Sequence, residues 1–382
     1  MDTEQLCEQA SEHAGLDDFG DGSFREGIDC YVGSLDESAQ LSELGAAAVE
    51  AQIVTALTNR LRVTDWVRSH PEVLEQRVER PIVVLGLPRT GTTLLSELLH
   101  RDPANRSLMR WESQDSIPPP DAATFTTDPR VESARVAAEM MDALNPGFRS
   151  IHYEAPDGPT ECVAVLAQDF KSLLWECVAN VPAYGAWLLA CDQRSAYDYH
   201  HQVLRVLQSG MPGRWALKTP HHCLALDALL EQYPDARLVM THRDPVTVIA
   251  SLCSLVRSLS GTFSDADHGA YINERWTDVA STLVERVMAW RDTNGSDRFV
   301  DVAYDDLVGD PIAAIRRVYE RFGEELGAPA EAAMRRYLVE QPHGVHGRHR
   351  YTLDELGLDA GALEERFAPY RRSFGVAREA VH

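Results

Sequence analysis

No stretch of this chain approaches the run of about 20 apolar residues that a helix needs to cross a bilayer. Its first residues, "MDTEQLCEQASEHAG", are acidic with no apolar centre, so they do not read as a secretory signal. Basic residues are scarce: 36 Lys and Arg stand against 59 Asp and Glu, a formal net charge of −23. That deficit argues against nucleic acid as a general partner, because duplex binding needs a broad basic surface. A small anion held by a few arginines and backbone amides stays open. The seven cysteines (Cys7, Cys30, Cys162, Cys177, Cys191, Cys223 and Cys253) are odd in number and scattered, with no C-x-x-C pair. They read as reduced thiols serving as small core residues in a cytoplasmic protein, and no metal site is expected. Internal repeats and low-complexity linkers are also missing.

What is present is apolar matter in short runs. At 382 residues and 44% apolar content, the chain can bury one large α/β domain with a helical extension, or two domains. Residues 1–78 carry apolar side chains at three-to-four spacing and read as an N-terminal helical extension, followed by a main domain over 79–382. Four β-like runs stand out there: "PIVVLGL" (81–87), "RWALK" (214–218), "ARLVMTHR" (236–243) and "RFVDVAY" (298–304). Each precedes a helix-like segment, which predicts an α/β fold with a parallel sheet covered by helices on both faces. Ligands in such sheets sit outside the carboxyl ends of the strands, where the motifs below fall. Between the first two runs lies a long insertion, 104–210, with a proline cluster and two predicted helices, "GPTECVAVLAQDFKSLLWECV" and "SAYDYHHQVLRVLQ". Its aromatic residues suit a wall over an apolar acceptor; ordinary helical packing is the alternative.

"GLPRTGTT" (86–93) has the outline of a phosphate loop, with a strand before it and a helix after it. Gly91 lets the backbone approach an anion, and successive N–H groups point inward at the helix start. Thr92 and Thr93 add hydroxyls, and Arg89 offers a forked, charge-assisted contact. The lysine that spans the β- and γ-phosphates in nucleotide triphosphatases is absent, and Arg243 stands where such enzymes place a magnesium-binding Asp. Both departures weigh against ATP or GTP hydrolysis. In "THRDPVTVIAS", Asp244 and Pro245 open a helix, and Ser251 lies eight positions after Arg243, so the two can meet at a common oxyanion.

Taken together, these residues resemble the sulfotransferases that use 3′-phosphoadenosine 5′-phosphosulfate, over about residues 58–375 and with most likeness to a bacterial branch. "PRTGTT" is similar to their 5′-phosphosulfate loop, Arg243 with Ser251 to their 3′-phosphate pair, "VAYDDLVGDP" to their Tyr-Glu-Asp-Leu segment, and "WALKTPHH" to their Lys-Thr strand end. The implied fold is P-loop-like. The implied donor is the phosphosulfate nucleotide, without metal, since a sulfuryl group carries fewer negative oxygens than a terminal phosphoryl. The resemblance gives Arg89, Thr90, Gly91, Thr92 and Thr93 to the phosphosulfate, Arg243 and Ser251 to the 3′-phosphate, and Tyr304 to the adenine. It makes Arg348 a further 3′-phosphate contact and Lys218 the cation at the bridging oxygen. A general base must take the acceptor's proton. The animal enzymes use a His two positions after the lysine, where this chain has Pro220. Glu112 in "RWESQDSIPPP" resembles the catalytic Glu that other branches of the family place shortly after the phosphosulfate loop and is the first choice, with His221 and then His152 behind it, while Glu161 reads as a helix-dipole complement. The acceptor is expected to be a small molecule with a hydroxyl: a lipid, sterol, phenol or glycan. A nucleotide kinase-like phosphotransferase and a non-catalytic nucleotide-binding module are the rival readings.

Overall fold

A computed structural model describes residues 1–342 and 352–379. Five strands form one parallel sheet: β1 (Ile82–Gly86), β2 (Asn105–Ser107), β3 (Arg214–Lys218), β4 (Arg237–His242) and β5 (Phe299–Ala303), in the order β2-β3-β1-β4-β5. The central strand β1 is buried along its whole length, as a parallel strand covered on both faces must be. Its side chains alternate: Ile82 and Val84 enter one apolar cluster, Val83 and Leu85 the other. The register sets Val84 beside both Lys218 and Val239, so the strands end together and the residues after β1, β3 and β4 share one edge.

Four of the five strands follow the sequence reading. The fifth, β2, was not expected. It is three residues long and polar, and it exists because Asn105 to Ser107 pair with Arg214 to Ala216 of β3; a window of "NRS" carries no strand signal.

The helical extension comprises α1 (Thr3–Ala14), α2 (Arg25–Ser34) and α3 (Glu43–Ser69). Leu6, Ile28, Leu57 and Leu61 of these helices are buried in the same cluster as Val83 and Leu85, so the extension shares a core with the sheet. After β1 come α4 (Thr92–His100) and, past β2, α5 (Arg110–Gln114), α6 (Arg130–Leu144) and α7 (Phe148–Ile151). The expected single helix over 158–178 is instead broken into α8 (Val163–Leu166), a 3-10 turn and α9 (Leu173–Val178). Phe170 causes the break. It adopts φ +53, and its ring is buried, stacked 5.1 Å from Trp175. Aromatic packing here outweighs helix propensity. The second insertion helix forms as expected, following α10 (Pro182–Ala190) as α11 (Arg194–Gly210). Then α12 (Leu226–Gln232), α13 (Pro245–Ser260), α14 (Gly269–Asn294) and α15 (Tyr304–Gly309) complete the surroundings of the site. All seven cysteines are free thiols. Among the described residues no helix is long and apolar enough to cross a membrane.

Candidate active site

The loop between β1 and α4 is shaped by backbone torsion. Gly86 has φ +126, and a Cβ there would meet the Thr241 carbonyl oxygen at 2.6 Å, so only glycine lets β1 turn beside β4. Arg89 (φ +67) and Gly91 (φ +90) are left-handed as well, which curls the loop so that its N–H groups converge with those at the start of α4. The Thr90 hydroxyl donates to the Leu87 carbonyl (2.6 Å) and meets Thr241 Oγ1 at 2.5 Å. It ties the loop to β4, leaving the Thr90 backbone as its contribution to an anion. Thr92 is buried and Thr93 exposed, at the N-terminus of α4.

Arg89, Arg243, Ser251 and Tyr304 are brought together. Arg89 Nε donates to Ser251 Oγ (3.0 Å), and Arg243 Nη1 donates to the Arg89 carbonyl (3.1 Å). The Arg243 guanidinium lies 3.9 Å from the centroid of the Tyr304 ring. Ser251 thus meets Arg89, and Arg243 is linked to Ser251 through it. Two further carboxylates hold this corner. Asp244 caps α13, accepting from Val246 N (3.1 Å), and also accepts from Arg371 (2.6 Å) and from Glu379 N (2.7 Å). Glu379 itself pairs with Arg243. Arg348 lies outside the described residues.

Lys218, one of only two lysines in the chain, ends β3 almost completely buried. Its ammonium donates to Glu161 Oε1 at 2.7 Å, while Thr219 Oγ1 donates to Glu161 Oε2 at 3.1 Å. Burial alone would discharge Lys218, but Glu161 and Glu154 outweigh it and hold the ammonium above the ordinary lysine value.

The candidate bases separate sharply. Glu112 does not reach a cavity. It is fully buried at the third position of α5, accepting from Met109 N (3.0 Å) and from Arg106 through Nη2 (2.5 Å) and Nη1 (3.3 Å). Arg106 comes from β2 and lies 4.1 Å from the centroid of Trp215. A carboxylate closed in this way holds structure and has no path to an acceptor. His221 stands at the wall of the cavity that holds His152 but is fully buried: Nδ1 accepts from Leu173 N (3.3 Å), and Nε2 meets Gln193 Oε1 (3.3 Å). Burial pulls its pKa down to about 3, so the ring is neutral with both nitrogens engaged. His152, half-buried after α7, lies on a cavity wall with Nε2 3.6 Å from Glu154 Oε1. Burial opposes ionisation of Glu154, but the His152 hydrogen bond and charge, with Lys218 and Arg110, bring it down to about 2.

The residue that sequence reading misassigned is Glu161. It lies two residues after Pro159, which bridges to Met109, and just before α8, and turns to Lys218 instead of serving a helix dipole. A buried lysine needs a carboxylate partner, but nothing in the linear chain says which one.

The loop, Thr219 and Glu161 beside the buried lysine, and the insertion line one cavity of about 1200 Å³. Gly91, Thr92, Thr93, Arg243, Glu161 and His152 line its polar end. Apolar side chains make up much of the rest, among them Leu252, Leu255, Val256 and Leu259 of α13, Met141 of α6 and Trp276 of α14, with Gln52, Arg135, Glu139, Asp142 and Arg149 between them. Among the described residues, no group of three or more His, Cys, Asp or Glu side chains is arranged to hold a metal ion.

Comparison with known proteins gives a consistent result. The family model described as the Sulfotransferase family matches residues 81–327. Sulfotransferase STF9 from Mycobacterium avium is similar at 36% identity with a TM-score of 0.91, covering 99% of this chain and 98% of that one. Sulfotransferase STF1 from Mycobacterium tuberculosis H37Rv is similar at 34% identity and a TM-score of 0.86, covering 97% and 99%. Among curated proteins, the omega-hydroxy-beta-dihydromenaquinone-9 sulfotransferase Stf3 of Mycobacterium bovis is 27% identical over 297 residues, 73% of this chain and 71% of that protein.

Proposed function

This chain belongs to the sulfotransferase family, and from that premise we propose that it moves a sulfuryl group from 3′-phosphoadenosine 5′-phosphosulfate to a hydroxyl on an apolar or amphipathic small molecule. The observation that carries this reading is the continuity of the cavity: the loop, with Glu161 and Thr219 in front of the buried Lys218, lines it together with apolar faces of α13 and α14. The donor set fits a nucleotide with two anionic ends. Backbone N–H groups of residues 90–93 and the dipole of α4 suit the phosphosulfate. Arg243 and Ser251, linked through Arg89, suit the 3′-phosphate, and Tyr304 stands beside them for the base.

The donor supplies an activated sulfuryl group; the chain's own residues do the rest. Lys218 stabilises the negative charge that grows on the bridging oxygen as the S–O bond breaks, an interaction stronger in the transition state than before it. Helices α13 and α14 exclude water and hold the acceptor's apolar body so that its hydroxyl faces the loop. The relative Stf3 is named for an ω-hydroxylated dihydromenaquinone, which supports an acceptor of this kind here.

Calorimetric titration with adenosine 3′,5′-bisphosphate, run beside ATP with and without magnesium, tests the donor. We expect binding of the bisphosphate that is independent of metal, with little response to ATP. Magnesium-dependent ATP binding with no bisphosphate affinity would contradict the reading.

A further inference from the structure

We infer that the mouth of the acceptor cavity docks onto an uncharged or zwitterionic lipid surface through exposed apolar side chains of α3 and α6. The inference rests on the acceptor reading above and adds the place from which that acceptor enters. Seven large apolar side chains stand exposed among the described residues. Three of them, Met140, Leu144 and Val308, also line the cavity. Two more, Leu44 and Val136, lie one helical turn before the lining residues Ala48 and Met140. Val136, Met140 and Leu144 follow at four-residue spacing, so they form one stripe along α6, exposed at 47%, 61% and 43%. Only Ala134 of that helix is fully buried. Ser42 N donates to the Phe263 carbonyl (2.9 Å) and Asn145 Nδ2 to Thr262 Oγ1 (2.9 Å). The start of α3 and the end of α6 are thereby fastened to one turn after α13, with Leu44 and Leu144 beside it.

Position decides what covers this face. Exposed apolar patches of this kind mark contacts with proteins or membranes. Met140, Leu144 and Val308 are exposed and wall the cavity at once, so a protein seated on them would close the acceptor's way in. A bilayer covers the same side chains and delivers a lipid alcohol between them. Charge selects the lipid. Arg135 pairs with Glu132 and with Glu139 (2.9 Å), and Arg149 with Asp142 (3.4 Å). The two arginines of α6 stand against three carboxylates, and the chain's net charge of −23 repels anionic headgroups. Paired charges beside an apolar stripe suit the headgroup boundary of a neutral bilayer, where an amphipathic helix lies with its apolar side in the acyl region.

The test floats the full chain with dioleoylphosphatidylcholine vesicles and assays ³⁵S transfer to geranylgeraniol held in them and to butanol in solution. We expect wild type to float with these vesicles, and to float less as phosphatidylglycerol is mixed in. Leu44→Gln/Val136→Gln, two exposed positions outside the cavity lining, should lower vesicle affinity by about tenfold or more, because two apolar side chains no longer leave water on docking. Its kcat/KM for vesicle-held geranylgeraniol should fall with that affinity, while butanol turnover and bisphosphate affinity stay within about threefold of wild type. Wild type that stays off the vesicles, or a double variant that floats as well as wild type, overturns the inference. So does light scattering that shows a dimer which the double variant splits, because a second copy would then cover the face. A chain that floats but labels no alcohol keeps the docking face and overturns the acceptor reading beneath it.

Discussion

Arg243 and Glu379 form a two-point ion pair, with guanidinium Nε and Nη2 each 2.8 Å from a carboxylate oxygen. The carboxylate sits on the arginine assigned to the donor's 3′-phosphate and presents two oxygens to it as a phosphate does. On that assignment, donor binding displaces Glu379. Glu379→Gln is expected to tighten bisphosphate binding by about tenfold, and Arg243→Ala to weaken it by about tenfold to a hundredfold, the range of a hydrogen bond to a charged group. Calorimetry reads both. Unchanged affinity in Glu379→Gln would mean that the tail does not compete.

Lys218 is assigned to charge that develops on the bridging oxygen, so its removal should act on the chemical step. Lys218→Met is expected to lower kcat by about a hundredfold to a thousandfold, as for loss of one oxyanion donor, with donor KM little altered. A variant that loses donor affinity in the same proportion would assign Lys218 to ground-state binding.

Glu112 and Arg106 make a closed ion pair, so Glu112→Gln should appear as a loss of stability. Leaving Arg106 buried without its counter-charge costs about 3 kcal/mol or more, readable by urea unfolding. The folded variant should bind the bisphosphate normally. A variant as stable as wild type that has lost turnover would return Glu112 to the chemistry.

The pKa of Glu154 is shifted downward, from 4.5 to about 2. A carboxylate with a depressed folded value lends stability that is full above its unfolded value and is lost as pH falls through the folded one. The difference in unfolding free energy between wild type and Glu154→Gln should therefore shrink as pH falls from about 4.5 towards 2. A difference that stays constant over that window would mean the pairing with His152 contributes nothing.

Much of this arrangement was legible along the chain because it is local. The β1–loop–α4 unit declares itself through an apolar run, Gly86, Gly91 and the helix that follows. Arg243 and Ser251 are separated by eight positions on one strand-helix corner. What was not legible depends on contacts between distant segments. Glu112 looks available until Arg106 arrives from β2, a strand that exists only through its pairing with β3. Phe170 breaks a helix through its stack on Trp175, and Glu161 finds Lys218 across 57 positions of chain. In each case tertiary packing decides, and neither periodicity nor propensity encodes it.

The apolar wall makes acceptor length the most direct measure of the account. The chain should be supplied with ³⁵S-labelled phosphosulfate and primary alcohols from butanol to geranylgeraniol, for both wild type and Leu255→Trp, a substitution that fills the wall of α13. The account predicts kcat/KM rising with chain length in wild type, and Leu255→Trp losing the long acceptors while keeping the short ones. Label passing best to the shortest alcohol, or to none, would contradict it.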